Sequence, residues 1–271
     1  MIQMNGNRMK EKLIRNDLKS LKRFQGIDES IYYEPLADKI IDLYGINEPE
    51  HVEEGKKLGV NILAVFDDHG FVKLSDLEKE IQAGIDFVVF GGDHSLQTIQ
   101  VVSEATMGIR KYALRGNHDS EYIDMMFKKI NAENIHGRVL KTPEGLIIAG
   151  MRGSHIYTEN RRNRTLLTHH ESMVIADSMI RELTRLGRGM DIFFAHDQAF
   201  TKTYDPELIY NDGCSHVGLL GNTYLAYYRD DSAGIDPVKY FVHGHLHQKS
   251  VRMWLSGQIE MNVYGVQTLS L

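Results

Sequence analysis

Seven polar side chains of the types that hold divalent metals recur along this chain: Asp67, His69, Asp93, Asn117, His196, His245 and His247. Each follows a short apolar run. NILAVF leads into Asp67, Asp68 and His69; DFVVF into Gly91, Gly92 and Asp93; KYAL into Arg115, Gly116, Asn117, His118 and Asp119; DIFFA into His196; and KYFV into His243, Gly244, His245, Leu246 and His247. Carboxylate, imidazole and amide donors without thiolates suit Mn, Fe, Zn, Co or Ni, and point to a catalytic site in preference to a structural zinc. Seven donors are too many for one tetrahedral ion. They suit two ions sharing a carboxylate, the usual apparatus for in-line displacement at phosphorus. Singly, Asp, Asn and Gly at strand ends are ordinary turn residues; five clusters in series, each behind an apolar run, favour the chemical reading.

The ordered set Asp67-x-His69, Gly92-Asp93, Gly116-Asn117-His118-Asp119, an isolated His196 and Gly244-His245-x-His247 resembles the calcineurin-like metallophosphoesterase superfamily, from about residue 60 to the C-terminus. That resemblance implies an α/β fold, a four-layer β-sandwich of mixed sheets flanked by helices. It implies two divalent ions, Mn foremost, with Asp67, His69 and His247 on the first, Asn117, His196 and His245 on the second, Asp93 between them, and a shared hydroxide as nucleophile. His118 would not be a ligand; its implied role is to stabilise charge beside the phosphate and protonate the leaving oxygen. Many relatives orient that histidine with an acidic residue three positions after the bridging Asp, extended to Asp-Arg-Gly in protein Ser/Thr phosphatases. Here His94, Ser95 and Leu96 follow Asp93, which sets the chain apart from that branch and leaves Asp119 or Asp68 to orient His118. His94 and His243 flank the ligands, either as hydrogen-bond supports or as packed residues. Both imidazoles of His245-x-His247 can face one site only if the backbone turns, and Gly244 is the expected turning point.

The elements that must position these residues alternate. Apolar runs bounded by glycine read as buried strands, so the polar clusters belong to loops at strand ends. Ser75 with Glu78 has the form of a capping box for a helix to about residue 83. Residues 94–107 and 120–131 read as helices, 134–141 and 146–149 as strands. Ala176, Met179, Ile180 and Leu183 mark a helix ending at Gly187, and 251–255 with 259–269 alternate as paired strands.

A catalytic domain is expected over 59–271 behind a helical appendage, 1–58. Within residues 1–24, seven Lys and Arg face two acidic residues, a charge of +5, so the remainder carries −11 of the net −6. Ile14, Leu18 and Leu21 give that basic segment one apolar stripe. It reads as an arm for nucleic acid, an acidic partner or a membrane surface, or as a helix docked on the core or on a second copy of the chain. With 271 residues, 42% hydrophobic and 25% charged, the chain can bury one sizeable core. The single Cys214 precludes an internal disulfide, and no apolar stretch approaches the roughly 18 residues of a membrane span, so a cytoplasmic protein is expected.

Substrate selection must come from outside the ligands. Residues 151–164 hold Arg152, His155, Tyr157, Arg161, Arg162 and Arg164, of which Arg152, next to a strand end, is the foremost candidate to bind phosphate. The loop 204–217 offers His216 to the pocket wall. Three functions compete: a phosphatase or phosphodiesterase acting on a small phosphate ester or nucleotide, cyclic ones included; a nuclease, which the acidic body disfavours; and a non-catalytic partner-binding module.

Overall fold

The computed structural model describes residues 58–271 apart from 71, 73, 83, 156–164, 200–217, 248 and 254–257. The 1–57 part of the expected appendage with its basic helix, Cys214, His216, Tyr157 and the arginines at 161, 162 and 164 lie outside the described residues.

The order is β1 (Asn61–Phe66), α1 (Leu74–Ile81), β2 (Phe87–Phe90), α2 (Leu96–Ala105), β3 (Arg110–Ala113), α3 (Tyr122–Lys129), β4 (Glu133–Asn134), β5 (Val139–Lys141), β6 (Ile147–Met151), α4 (His169–Leu186), β7 (Ile192–Ala195), α5 (Leu220–Tyr227), β8 (Tyr240–His243), β9 (Ser250–Met253), β10 (Ile259–Asn262) and β11 (Gly265–Ser270). One sheet runs β11-β1-β2-β3-β4 and the other β5-β6-β7-β8-β10-β9. Their central strands are parallel, while β11, β5 and β9 are antiparallel to β1, β6 and β10. Both sheets are therefore mixed.

Alternation along each strand builds the layers. Ile62, Ala64 and Phe66 of β1 face inward with Phe87 and Val89, and meet Ile148, Ile192, Phe194 and Val242 of the second sheet. Leu63, Val65, Val88 and Phe90 face outward onto Leu77, Ile99, Val102, Ile123 and Phe127 of α1, α2 and α3. On the far side Ala149, Phe193 and Phe241 pack against Met173, Ala176, Met179, Ile180 and Leu183 of α4 and Leu220, Tyr224 and Leu225 of α5. Strands with two covered faces need continuous apolar sequence, which explains runs such as NILAVF. The result is the helix, sheet, sheet, helix sandwich expected from the sequence.

Several boundaries differ from expectation for physical reasons. The helix assigned to Ser75 starts one residue earlier, so Ser75 lies inside its first turn and is not the cap. The capping box belongs instead to α4, where Thr168 Oγ1 accepts the Glu171 N–H at 3.0 Å and Glu171 Oε2 accepts the Thr168 N–H at 2.8 Å; Gly187 ends that helix at φ 63°. The stretch 134–141 is not one strand. It splits at Gly137 (φ 67°) into β4 of the first sheet and β5 of the second, and so carries the chain between sheets. Likewise 259–269 divides into β10 and β11, which also sit in different sheets. Helix α5 escaped the sequence reading because all eight of its residues are buried, leaving no amphipathic stripe to recognise.

Candidate metal centre

All five polar clusters lie at the C-terminal ends of parallel strands: β1, β2 and β3 of one sheet, β7 and β8 of the other. Their backbone is unusual. Among the described residues six non-glycines have positive φ, and five are expected ligands: Asp67 (49°), His69 (44°), Asp93 (58°), His245 (69°) and His247 (49°). Left-handed backbone is unfavourable for such side chains and concentrates where function over-determines the geometry. The turn between the two C-terminal histidines is thus made by the histidines themselves, and not by Gly244 as expected. Gly244 is needed for space: a Cβ there would lie 2.2 Å from Asp67 Oδ2. Gly116 has the same role, its Cβ position falling 2.1 Å from Asp93 Oδ1.

The side chains converge in two groups, Asp67 with His69 and His247, and Asp67 with Asp93 and His196, each with donor atoms within 4.8 Å of one another. Asp67 is common to both, whereas the resemblance places Asp93 between the ions. In the first group His69 Nε2 and His247 Nε2 stand 3.1 Å apart, and Asp67 Oδ1 is 3.8 Å from His247 Nε2. In the second, His196 Nε2 lies 2.7 Å from Asn117 Oδ1 and 3.4 Å from Asp93 Oδ2. His245, its ring 5.2 Å from that of His196, is buried with neither ring nitrogen hydrogen-bonded. Asp67 Oδ1 and Asp93 Oδ2 are also buried without hydrogen-bond partners. Buried polar atoms are ordinarily satisfied. Two carboxylate oxygens and an imidazole left unsatisfied in one cluster fit the donor set of a pair of cations, since each atom lacks what a metal supplies.

Supporting contacts aim the donors. The remaining oxygens of the two carboxylates accept backbone N–H groups, Asp67 Oδ2 from His245 at 2.7 Å and Asp93 Oδ1 from His118 at 2.7 Å. His196 Nδ1 faces the Gly91 carbonyl at 3.1 Å, which leaves Nε2 for the site. Electrostatics follow from the crowding. Burial opposes a charge on His196, but Asp93 and Asp67 outweigh it and raise its pKa to about 10. Burial raises the Asp67 carboxyl, while Asp93, though also buried, is held well below the usual range by His196 and His118.

His118 is exposed at the rim, its ring centroid 6.1 Å from that of His69. Neither residue expected to orient it does so through its side chain. Both Asp119 oxygens are turned inward onto the N–H groups of Asp93 (3.0 Å), His94 (2.8 Å) and Gly116 (2.7 Å). Asp68 Oδ1 instead contacts His94 Nδ1 at 2.5 Å, and His94 Nε2 accepts the Gly92 N–H at 2.9 Å. Sequence reading did not single out this Asp68–His94 clamp, although adjacency to two expected ligands was a signal. His243 pairs with Glu260 at 3.0 Å. Arg152 follows β6, half-buried, and its N–H meets His136 Nδ1 at 3.2 Å. His155 stacks on His169 at 4.0 Å.

The model of calcineurin-like phosphoesterases matches residues 59–249. No curated protein matches the chain. Among solved structures, TT1561 of Thermus thermophilus superposes with a TM-score of 0.53 at 13% identity, covering 78% of this chain and 98% of that one. A second structure gives 0.51 at 12% identity with the same coverage. At such identities the likeness is one of fold. The family match takes in all five strand-end loops and more than half of the chain, and the protein therefore belongs to the calcineurin-like phosphoesterase family.

Proposed function

We propose that the protein is a binuclear metal-dependent hydrolase of small phosphate esters, monoesters or diesters, nucleotides included. The observation that carries the reading is the set of buried, unsatisfied donors, Asp67 Oδ1, Asp93 Oδ2 and both nitrogens of His245, held on strained backbone at strand ends. Asp67, His69, Asp93, Asn117, His196, His245 and His247 would hold two divalent cations, Mn foremost. When bound, the cations supply Lewis acidity and a nucleophile active at neutral pH.

The chain's own groups do the rest. The His118 N–H bond to Asp93 Oδ1 fixes the loop that carries its imidazole, so the ring stands at the rim, where a leaving oxygen would depart. There it protonates that oxygen and shares developing charge. Arg152, and His216 beyond the described residues, are the residues we assign to substrate. Asp119 positions the loops of Asp93 and His118 from beneath.

The test is hydrolysis of monoesters, cyclic nucleotides, dinucleotides and single-stranded DNA with Mn, beside Asp93→Ala and His118→Ala. Asp93→Ala loses metal and turnover together. His118→Ala keeps its Mn by elemental analysis while kcat falls roughly 10²- to 10⁴-fold. An unchanged rate, or a site emptied by His118→Ala, sinks the assignment.

A further inference from the structure

We propose that Arg115, His136 and Arg152 form an anion site beside the metal centre that takes a second phosphoryl group of the substrate; this rests on the phosphoesterase reading above. The three residues come from the end of β3, the β4–β5 connection and the end of β6. Backbone bonds tie them together. The Gly153 N–H donates to the Arg115 carbonyl at 2.8 Å, the Gly137 N–H to the Gly150 carbonyl at 2.8 Å, and the Arg152 N–H to His136 Nδ1 at 3.2 Å. One glycine separates Arg115 from Asn117, a chain length of at most about 7 Å.

The donors exceed the acceptors. Arg115 Nη1 meets Asp124 Oδ2 at 3.0 Å, but the Nε atoms of Arg115 and Arg152 are buried without hydrogen-bond partners. Because His136 Nδ1 accepts a backbone N–H, its Nε2 must carry the proton and is a further donor. Burial, then Arg152 and Arg115, push His136 down to about 3, so it stays neutral. The guanidiniums also feel each other: burial and then Arg115 lower the pKa of Arg152. Two carboxylates act on Arg152, those of Asp124 and Glu171. Asp124 is already bonded to Arg115, and Glu171 Oε2 is committed to the α4 cap. Two half-buried to buried guanidiniums beside a neutral N–H donor, with both Nε atoms unpartnered and the Asp124 and Glu171 carboxylates each engaged elsewhere, match a phosphate, whose oxygens accept bidentate bonds.

The test has two arms on the full-length protein. Calorimetry measures inorganic phosphate binding to the EDTA-treated chain. Steady-state kinetics compares adenosine 3′,5′-bisphosphate with adenosine 5′-monophosphate in the Mn-loaded enzyme. The wild type is expected to bind phosphate without metal and to favour the bisphosphate through KM. Arg152→Gln should weaken phosphate binding and raise KM for the bisphosphate about 10- to 100-fold, as loss of a charged hydrogen bond would, and Arg152→Lys should restore only part of it. Unchanged phosphate affinity in Arg152→Gln, or no preference between the two nucleotides in the wild type, overturns the anion site. A wild type that binds phosphate in the first arm but hydrolyses neither nucleotide overturns the phosphoesterase reading instead.

Discussion

Asp67 and Asp93 are two buried carboxylates of the same cluster, yet they are shifted in opposite directions. Burial dominates at Asp67 and favours its neutral form, whereas His196 and His118 keep Asp93 ionised. Without a cation the ionised Asp67 carboxylate is therefore a cost to the fold, which gives Asp67→Asn a sign that depends on metal. The Asn Oδ1 can still accept the His245 N–H, so the metal-free variant is expected to be more stable than the metal-free wild type by about 1 kcal/mol, roughly 2–4 °C in Tm. With saturating Mn the order reverses, because the variant forfeits the stabilisation that binding confers. Thermal denaturation with EDTA and with Mn reads both signs; lower stability in both would show that Asp67 is a structural acceptor. Gly244→Ala probes the same residue from the backbone. Its Cβ, 2.2 Å from Asp67 Oδ2, must displace that carboxylate, and a loss of about 1–3 kcal/mol together with about 10- to 100-fold weaker Mn binding is expected. Wild-type Mn affinity in Gly244→Ala would mean the Asp67 position is not what the cation requires.

The strands deliver the donors, but a loop does the aligning. Asp119 accepts three backbone N–H groups from two loops, and so locks the Asp93 turn to the segment carrying Asn117 and His118. Asp119→Ala leaves three buried donors without an acceptor, at a cost of roughly 2–4 kcal/mol, and is expected to lower Tm and Mn affinity together. Lost turnover with full metal occupancy and unchanged Tm would make Asp119 catalytic instead. This division of labour also explains what could be read from sequence. The strand-end placement of the donors was legible, because two-sided burial writes itself as apolar runs and the ligand types stand out against them. The carboxylate common to both groups was not legible, since it sits on a positive-φ turn of the kind only glycine normally announces, and the inward turn of Asp119 and the Asp68–His94 clamp were not, since they join residues 25 or 26 positions apart. At the level of elements, α5 hid for lack of a polar face, and the split at Gly137 hid because either half alone still reads as strand.

The sandwich as a whole encloses histidines that it keeps uncharged, and acid should therefore attack the fold through them. Burial pushes His155 down to about 4, and burial, then His155, lowers its stacked neighbour His169 as well. A histidine depressed in the folded state adds stability that is complete above its unfolded value near 6.5, and loses it as pH falls toward 4, because the unfolded chain takes up the proton first. For His155 that amounts to about 2 kcal/mol between pH 7.5 and pH 5. Asp197 acts in the opposite sense. Burial raises it to about 7, so its contribution is favourable at low pH and is lost as pH rises toward neutrality. The two slopes overlap, and the informative quantity is a difference between proteins at each pH. His155→Phe keeps a ring against His169 and leaves the His155 backbone N–H bond to Asp197 Oδ2 in place. Urea midpoints at pH 5, 6 and 7.5 should show the variant gaining on the wild type as pH falls, by about 2 kcal/mol at pH 5. A constant gap across that range would mean that His155 is protonated as readily folded as unfolded, and that the acid sensitivity of the molecule lies elsewhere.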